Sequence, residues 1–107
     1  MVIAIFRARI RPDVREEYYE RAEVMAQIAR SMPGFVSYKA YSAPDGERVS
    51  IHEWQTADQL RAWRLHPQHV AMQQVGRERF YEEYTLYVMD SPRESRFIRD
   101  EASAAGA

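Results

Sequence analysis

The sequence predicts an α+β fold in which four strands and two helices follow one another in the order β-α-β-β-α-β, the ferredoxin-like arrangement. Three observations predict it. Apolar residues alternate over 2–10 and 48–55, they recur at three- and four-residue spacings between 14 and 32, and Pro-Gly or Pro-Asp-Gly punctuates the chain at 33–34 and 44–46. In such a fold both helices lie on one face of a four-stranded antiparallel sheet.

The first strand, 2–10, places Phe6, Ala8 and Ile10 on one side and Ile3, Ile5, Arg7 and Arg9 on the other. Pro12 ends it. Asp13, with Glu16 three residues on, has capping-box spacing and predicts a helix start. Val14, Tyr18, Ala22, Met25, Ile28, Ala29 and Met32 then form one stripe of an amphipathic helix of about five turns, which Pro33-Gly34 closes. Phe35 to Ala43 has no helical period and reads as a strand. Pro44-Asp45-Gly46 is a turn, and Arg48 to Gln55 is the returning strand of a hairpin. That strand carries Val49, Ile51 and Glu53 on one side and Ser50, His52 and Trp54 on the other. Thr56 and Gln59 repeat the capping spacing and open a helix through Leu60, Trp63, His66 and Val70 to about Gln74. Pro67 predicts a kink, or two short helices, meeting at His66, and Gly76 ends the helix. Phe80 to Met89 is the last strand. Residues 1–90 thus form one domain, and 91–107 a tail that is partly disordered or packed on a partner subunit.

A chain of 107 residues has room for one such domain. Its 16 acidic and 15 basic side chains leave a net charge of −1, without the basic excess of a nucleic-acid-binding protein. The absence of cysteine excludes disulfides, thiolate nucleophiles and cysteine-ligated metal centres. Lys39 is the single lysine, so a Schiff-base mechanism has one candidate. The apolar run Val2 to Phe6 is too short for a signal-peptide core or a bilayer span, and the expectation is a soluble cytoplasmic protein with no membrane contact.

One face of the sheet would carry Ile3, Ile5, Val49, Ile51 and alternate residues of the last strand, with no element left to cover it. Pairing with a second copy solves this, so the sequence predicts a homodimer. Arg7, Arg9 and Arg11 share a side of the first strand. They are placed to bind an anionic substrate or to cross the dimer interface to Glu53, Glu82 or Glu83, and the balanced charge favours structural pairing.

With these elements in order, the chain resembles the antibiotic biosynthesis monooxygenase superfamily of dimeric α/β barrels over roughly residues 1–90. The likeness rests on VIAIFRARI before a proline turn and long helix, on MPGFVSYKAY entering the second strand, on HEWQTADQL leaving the third, and on AWRLHPQHVAMQQ before a tyrosine-rich last strand. The resemblance implies a small dimer, often working without metal or organic cofactor. Members oxidise polycyclic aromatic phenols with molecular oxygen, one branch degrades haem, and others isomerise lactones. Trp63 matches the tryptophan that presses on haem in that branch, but Phe6 and Gln73 stand where its asparagine and axial histidine would be, which argues against haem degradation.

Oxygenation of an acidic phenol needs a base and a dry aromatic pocket. His66, at the helix break, and His52, on the helix side of the third strand, are the candidate bases, because histidine titrates near neutrality. Trp63, Tyr38, Phe6, Tyr18 and Met25 are the candidate substrate-binding wall, although for Met25 and Phe6 plain core packing is the commoner role of such residues. Trp54 is expected to pack at a strand end. His66 and His69 stand three apart, a spacing that suits two metal ligands, but Pro67 interrupts the helix and no carboxylate follows within a turn. No metal is therefore expected, and both histidines read equally as helix-start residues. The leading function is a cofactor-independent monooxygenase for an aromatic or polyketide-type small molecule. A cofactor-free isomerase or lyase in the same cleft, or a non-catalytic small-molecule-binding dimer, are its rivals.

Overall fold

β1 (Val2–Ile10) runs through the middle of a four-stranded sheet of order β2-β3-β1-β4, built from β2 (Phe35–Ser42), β3 (Arg48–Trp54) and β4 (Tyr81–Asp90), with every neighbouring pair antiparallel. The computed structural model describes residues 1–99. Three helices, α1 (Arg15–Arg30), α2 (Ala57–Arg64) and α3 (Pro67–Val75), complete the ferredoxin-like fold. Residues 92–98 carry no regular structure, and Phe97 is exposed. The part of the tail beyond 99 lies outside the described residues.

Strand alternation sorts the sheet into two faces. Val2, Ala4, Ala8 and Ile10 of β1 and Ser50 and Trp54 of β3 are buried on the helix side. On the other side Ile3 and Ile5 lie opposite Glu53 and Ile51 of β3 and opposite Met89 and Tyr87 of β4. No described helix covers that second face. Its rim is charged: Arg7 makes a forked pair with Glu47 at 3.1–3.3 Å, and Arg9 reaches Asp45 at 2.9 Å and Glu83 at 3.3 Å. Glu53 accepts instead from the Ser37 hydroxyl. Arg7 and Arg9 are thus paired within the chain, chiefly with Asp45 and Glu47 of the β2–β3 turn, which are not among the expected partners.

One local expectation needs correction. Asp13 does not cap α1. Pro12 opens a 3₁₀ turn (Pro12–Val14), Asp13 falls inside that turn, Val14 precedes α1 without a side-chain cap, and Asp13 lies 3.7 Å from Arg11. Of the two forms expected at Pro67, the chain takes the two short helices. His66 takes φ −58° and ψ 130°, as the clash of a following proline ring requires, and α3 begins afresh at Pro67. Gly76 is the C-cap of α3, as expected, and a π turn (Gly76–Phe80) then carries the chain to β4. A Cβ at Gly76 would stand 2.3 Å from Cε2 of Tyr81, so glycine there admits the tyrosine ring. The cap at Thr56 forms as its spacing predicts, with Oγ1 accepting from the Gln59 N–H at 3.2 Å.

Two groups of large side chains join the helices to the sheet. At one end Trp54, Leu60 and Trp63 pack with Val2, Ala4 and Ala29; at the other Tyr18, Met72 and Phe80 pack with Ala8 and Ile10. Along the space between them α1 presents Ala22 and Ala26 beside Met25, and β1 presents Phe6. The helices are held away from the sheet at both ends, and a cavity remains in the middle.

Gly34 fixes the approach to the first of these groups. It has φ +85°, its carbonyl accepts from the Gln55 N–H, and the side chain of Gln59 lies against it. A Cβ there would lie 2.8 Å from Cβ of Gln59 and closer still to its amide. Gly34→Ala therefore combines left-handed strain with overpacking and is expected to cost about 2–3 kcal/mol in urea unfolding. A loss below about 0.5 kcal/mol would mean that the turn relaxes freely around the new methyl.

Candidate active site

The central cavity has a volume of about 290 Å³. Its floor is the helix side of the sheet, with Ala4 and Phe6 on β1, Tyr38 on β2, Ser50 and His52 on β3, and Tyr81, Tyr84, Leu86 and Val88 on β4. Its roof is Tyr18, Ala22, Met25, Ala26 and Ala29 of α1, Leu60 and Trp63 of α2, and His69, Met72 and Gln73 of α3. Tyr84, Leu86 and Val88 are more than 40% exposed, so the cavity opens past the edge strand β4. Arg64 and Arg77 stand at the wall, and no Asp or Glu among the described residues does.

Of the residues singled out from the sequence, His52, Trp63, Tyr38, Phe6, Tyr18 and Met25 all meet at this cavity. His66 does not. It is the N-cap of α3, its Nδ1 accepting from the Gln68 N–H at 3.2 Å, and it is absent from the cavity wall. The break at Pro67 that spoils the His66–His69 spacing turns α3 so that His69 faces inward together with Met72 and Gln73, at helical spacings of three and four. His69 is thus the histidine that sequence reasoning passed over. Gln73 and Phe6 are both wall residues.

The two cavity histidines are joined through two tryptophans. The His69 ring stacks on Trp63, with centroids 4.1 Å apart and planes 10° from parallel. Trp63 lies nearly parallel to Trp54 at 6.4 Å. Trp54 is wholly buried, beyond the strand-end packing expected of it, and its indole Nε1–H donates to Nδ1 of His52 at 2.8 Å. His69 Nδ1 lies 3.2 Å from the main-chain carbonyl oxygen of Trp63. On the other side Arg48 donates to the Tyr38 hydroxyl at 3.1 Å and spans the rings of Tyr18 and Tyr19.

The dry setting shapes the titration of these groups. Burial holds the pKa of His52 at about 4, the charge of nearby His69 adding to the effect. Burial likewise holds His69 at about 4, against the Trp63 carbonyl, which favours its charged form. Burial raises Tyr18 and Tyr81. Near neutral pH both imidazoles are uncharged and both phenols keep their protons. Among the described residues no group of three or more His, Asp or Glu side chains is placed to hold a metal ion.

The unfolded chain takes up histidine protons from pH 6.5 downward, whereas the folded chain refuses them until about 4. Protonation in that window favours unfolding, so this part of the stability is complete above 6.5 and is lost as pH falls towards 4. The loss is expected to reach up to roughly 3 kcal/mol per histidine. Urea unfolding at stepped pH tests it: a double variant, His52→Phe with His69→Phe, should lose much less stability across the window. Equal slopes would mean that the two rings titrate as free histidines do.

Comparison with known proteins places this geometry. The antibiotic biosynthesis monooxygenase family profile matches residues 1–75, a stretch that includes His52, Trp63 and His69. The uncharacterised protein YqjZ of Bacillus subtilis is 32% identical over 80 residues, which span 75% of this chain and 70% of YqjZ. Among solved structures, Rv0793 of Mycobacterium tuberculosis shares the fold with a TM-score of 0.78 at 24% identity, over 89% of this chain and 98% of that one. SnoaB, a cofactor-independent oxygenase of Streptomyces nogalater, gives 0.73 at 17% identity, over 87% of this chain and 94% of SnoaB. The structural likenesses speak to fold, and the sequence matches carry the family: the chain belongs to the antibiotic biosynthesis monooxygenase family.

Proposed function

We propose that the chain is a cofactor-independent monooxygenase acting on a compact aromatic or polyketide-type molecule. The observation that carries the reading is the cavity itself: aromatic walls, two uncharged imidazoles and, among the described residues, no carboxylate to oppose an anion. Its size lies at the small end of ligand pockets, suited to about two or three fused rings. The oxygenase named among its structural relatives is in keeping with this.

The chemistry needs no external reductant. Loss of a proton from an acidic CH₂ next to an aromatic ketone, or from its phenolic tautomer, leaves an electron-rich anion. That anion passes an electron to O₂, a C–O bond forms, and the hydroperoxide loses water across its O–O bond. The sum, CH₂ + O₂ → C=O + H₂O, oxidises the carbon by four electrons and reduces O₂ by four. The protein's part is to take the proton, to steady the anion and to keep bulk water away. Trp63, Phe6, Tyr18, Tyr38 and Met25 are the surfaces against which the rings would lie.

Anthrone is a suitable probe. Its oxidation should consume one O₂ per ketone formed, release no hydrogen peroxide, and proceed unchanged after dialysis against a chelator. Uptake no faster than in buffer would sink the reading. Turnover of an enolisable ketone without oxygen uptake would favour a cofactor-free isomerase, and binding without turnover a non-catalytic binding dimer.

We also propose that a second copy covers the open face of the sheet, where Ile3, Ile5, Val49, Ile51 and Met89 lie beside the ion pairs of Arg7 and Arg9. Sedimentation at micromolar concentration should give twice the chain mass of 12.6 kDa, and Ile51→Asp should return it to a monomer. A wild-type monomer under those conditions would refute the dimer.

A further inference from the structure

Two histidines that line one cavity, neither charged at neutral pH, can still do opposite things, because a neutral imidazole is a donor at one nitrogen and an acceptor at the other. Which is which depends on the partner already bound. At His52 the partner is the Trp54 indole, whose Nε1–H has only a proton to give; it donates to Nδ1 at 2.8 Å. Nδ1 is therefore bare, and the ring proton sits on Nε2. At His69 the partner is the Trp63 carbonyl oxygen, 3.2 Å from Nδ1, which has only lone pairs to offer. Nδ1 therefore carries the proton, and Nε2 is bare. Stacking on Trp63 holds the His69 plane, and the fully buried Trp54 holds that of His52. In each ring Nε2 is the nitrogen left for a bound molecule.

We propose that His69 and His52 form a complementary pair in this cavity, His69 Nε2 being the proton acceptor and His52 Nε2–H a fixed hydrogen-bond donor, with Trp54 as the positioning residue that imposes the second tautomer. The proposal deepens the oxygenase reading and rests on it for the substrate, which would carry an ionisable hydroxyl or enol for His69 and an oxygen acceptor for His52. In the step itself the substrate O–H or C–H bond breaks, an Nε2–H bond forms on His69, and the electron pair stays on the substrate as an oxyanion that His52 Nε2–H supports. The low basicity of His69 in the empty cavity does not forbid this. Its imidazolium there lacks a counter-ion, and the oxyanion made by the transfer supplies one. The same arrangement excludes His52 as the base, since its one lone pair is already taken by Trp54.

Heteronuclear NMR of the full-length, nitrogen-labelled protein near neutral pH reads both ring nitrogens of each histidine. His52 should be protonated at Nε2 alone and His69 at Nδ1 alone; the reverse at either ring, or exchange between tautomers, overturns the proposal. Trp54→Phe should release His52 to a mixture of tautomers and leave His69 as it was, and an unchanged His52 in the folded variant removes Trp54 from its role. Should that variant fail to fold, the wild-type spectrum still decides. With anthrone, His69→Asn, which keeps a donor for the Trp63 carbonyl, should lower kcat by about 100-fold or more with little change in KM. A smaller fall in kcat overturns the assignment of the base. If the tautomers are as stated but wild type takes up no oxygen, the oxygenase reading fails and the pair stands as a hydrogen-bonding site. If oxygen is consumed with the wrong tautomers, the reading stands and the pair fails.

Discussion

The distance between α1 and the sheet governs the rest of this molecule. Native interiors close on themselves unless something props them open. Here the props are aromatic: Trp54 with Trp63 at one end, and Tyr18 with Phe80 at the other. Between them α1 turns Ala22 and Ala26 inward beside Met25, opposite Phe6 of β1. An α/β layer that would otherwise be solid keeps a space in its middle, open past the edge strand β4. Larger residues at Ala22 or Ala26 would make a better-packed domain and remove the site.

Burial also decides the electrostatics. Among the described residues no carboxylate lines the cavity, the two imidazoles lose their charge to burial, and the guanidiniums of Arg64 and Arg77 stand at its wall. Polar work inside falls to neutral hydrogen-bonding groups, whose directions are set by the groups behind them. The tryptophans have two tasks at once: their area holds up the roof, and their N–H and C=O groups orient the rings that line it.

Much of this was legible in the residues. Alternation along β3 puts His52 on the helix side, and the stripe on α1 identifies the face that carries Tyr18 and Met25. What escaped was set by breaks in periodicity. His69 owes its place to the angle between α2 and α3, which Pro67 creates but does not specify, and this is why His66 looked the better candidate. Tyr81 was hidden by a register shift near Ile10: strict alternation from Tyr84 would turn Glu82 inward, and the irregularity brings Tyr81 opposite Ile10 instead. The bond from Trp54 to His52 was within reach, since residues two apart on a strand share a side, but its direction required the indole to be buried.

The stack of His69 on Trp63 has one more consequence. Many histidines relay protons by accepting at one nitrogen and releasing from the other into a chain of waters. Here the second nitrogen faces the main-chain carbonyl of Trp63 on the preceding helix, and that carbonyl passes nothing on. A proton that arrives at Nε2 must leave from Nε2. The ring is a cul-de-sac rather than a conduit, suited to lending a proton back to whatever occupies the cavity and unsuited to trading protons with bulk solvent.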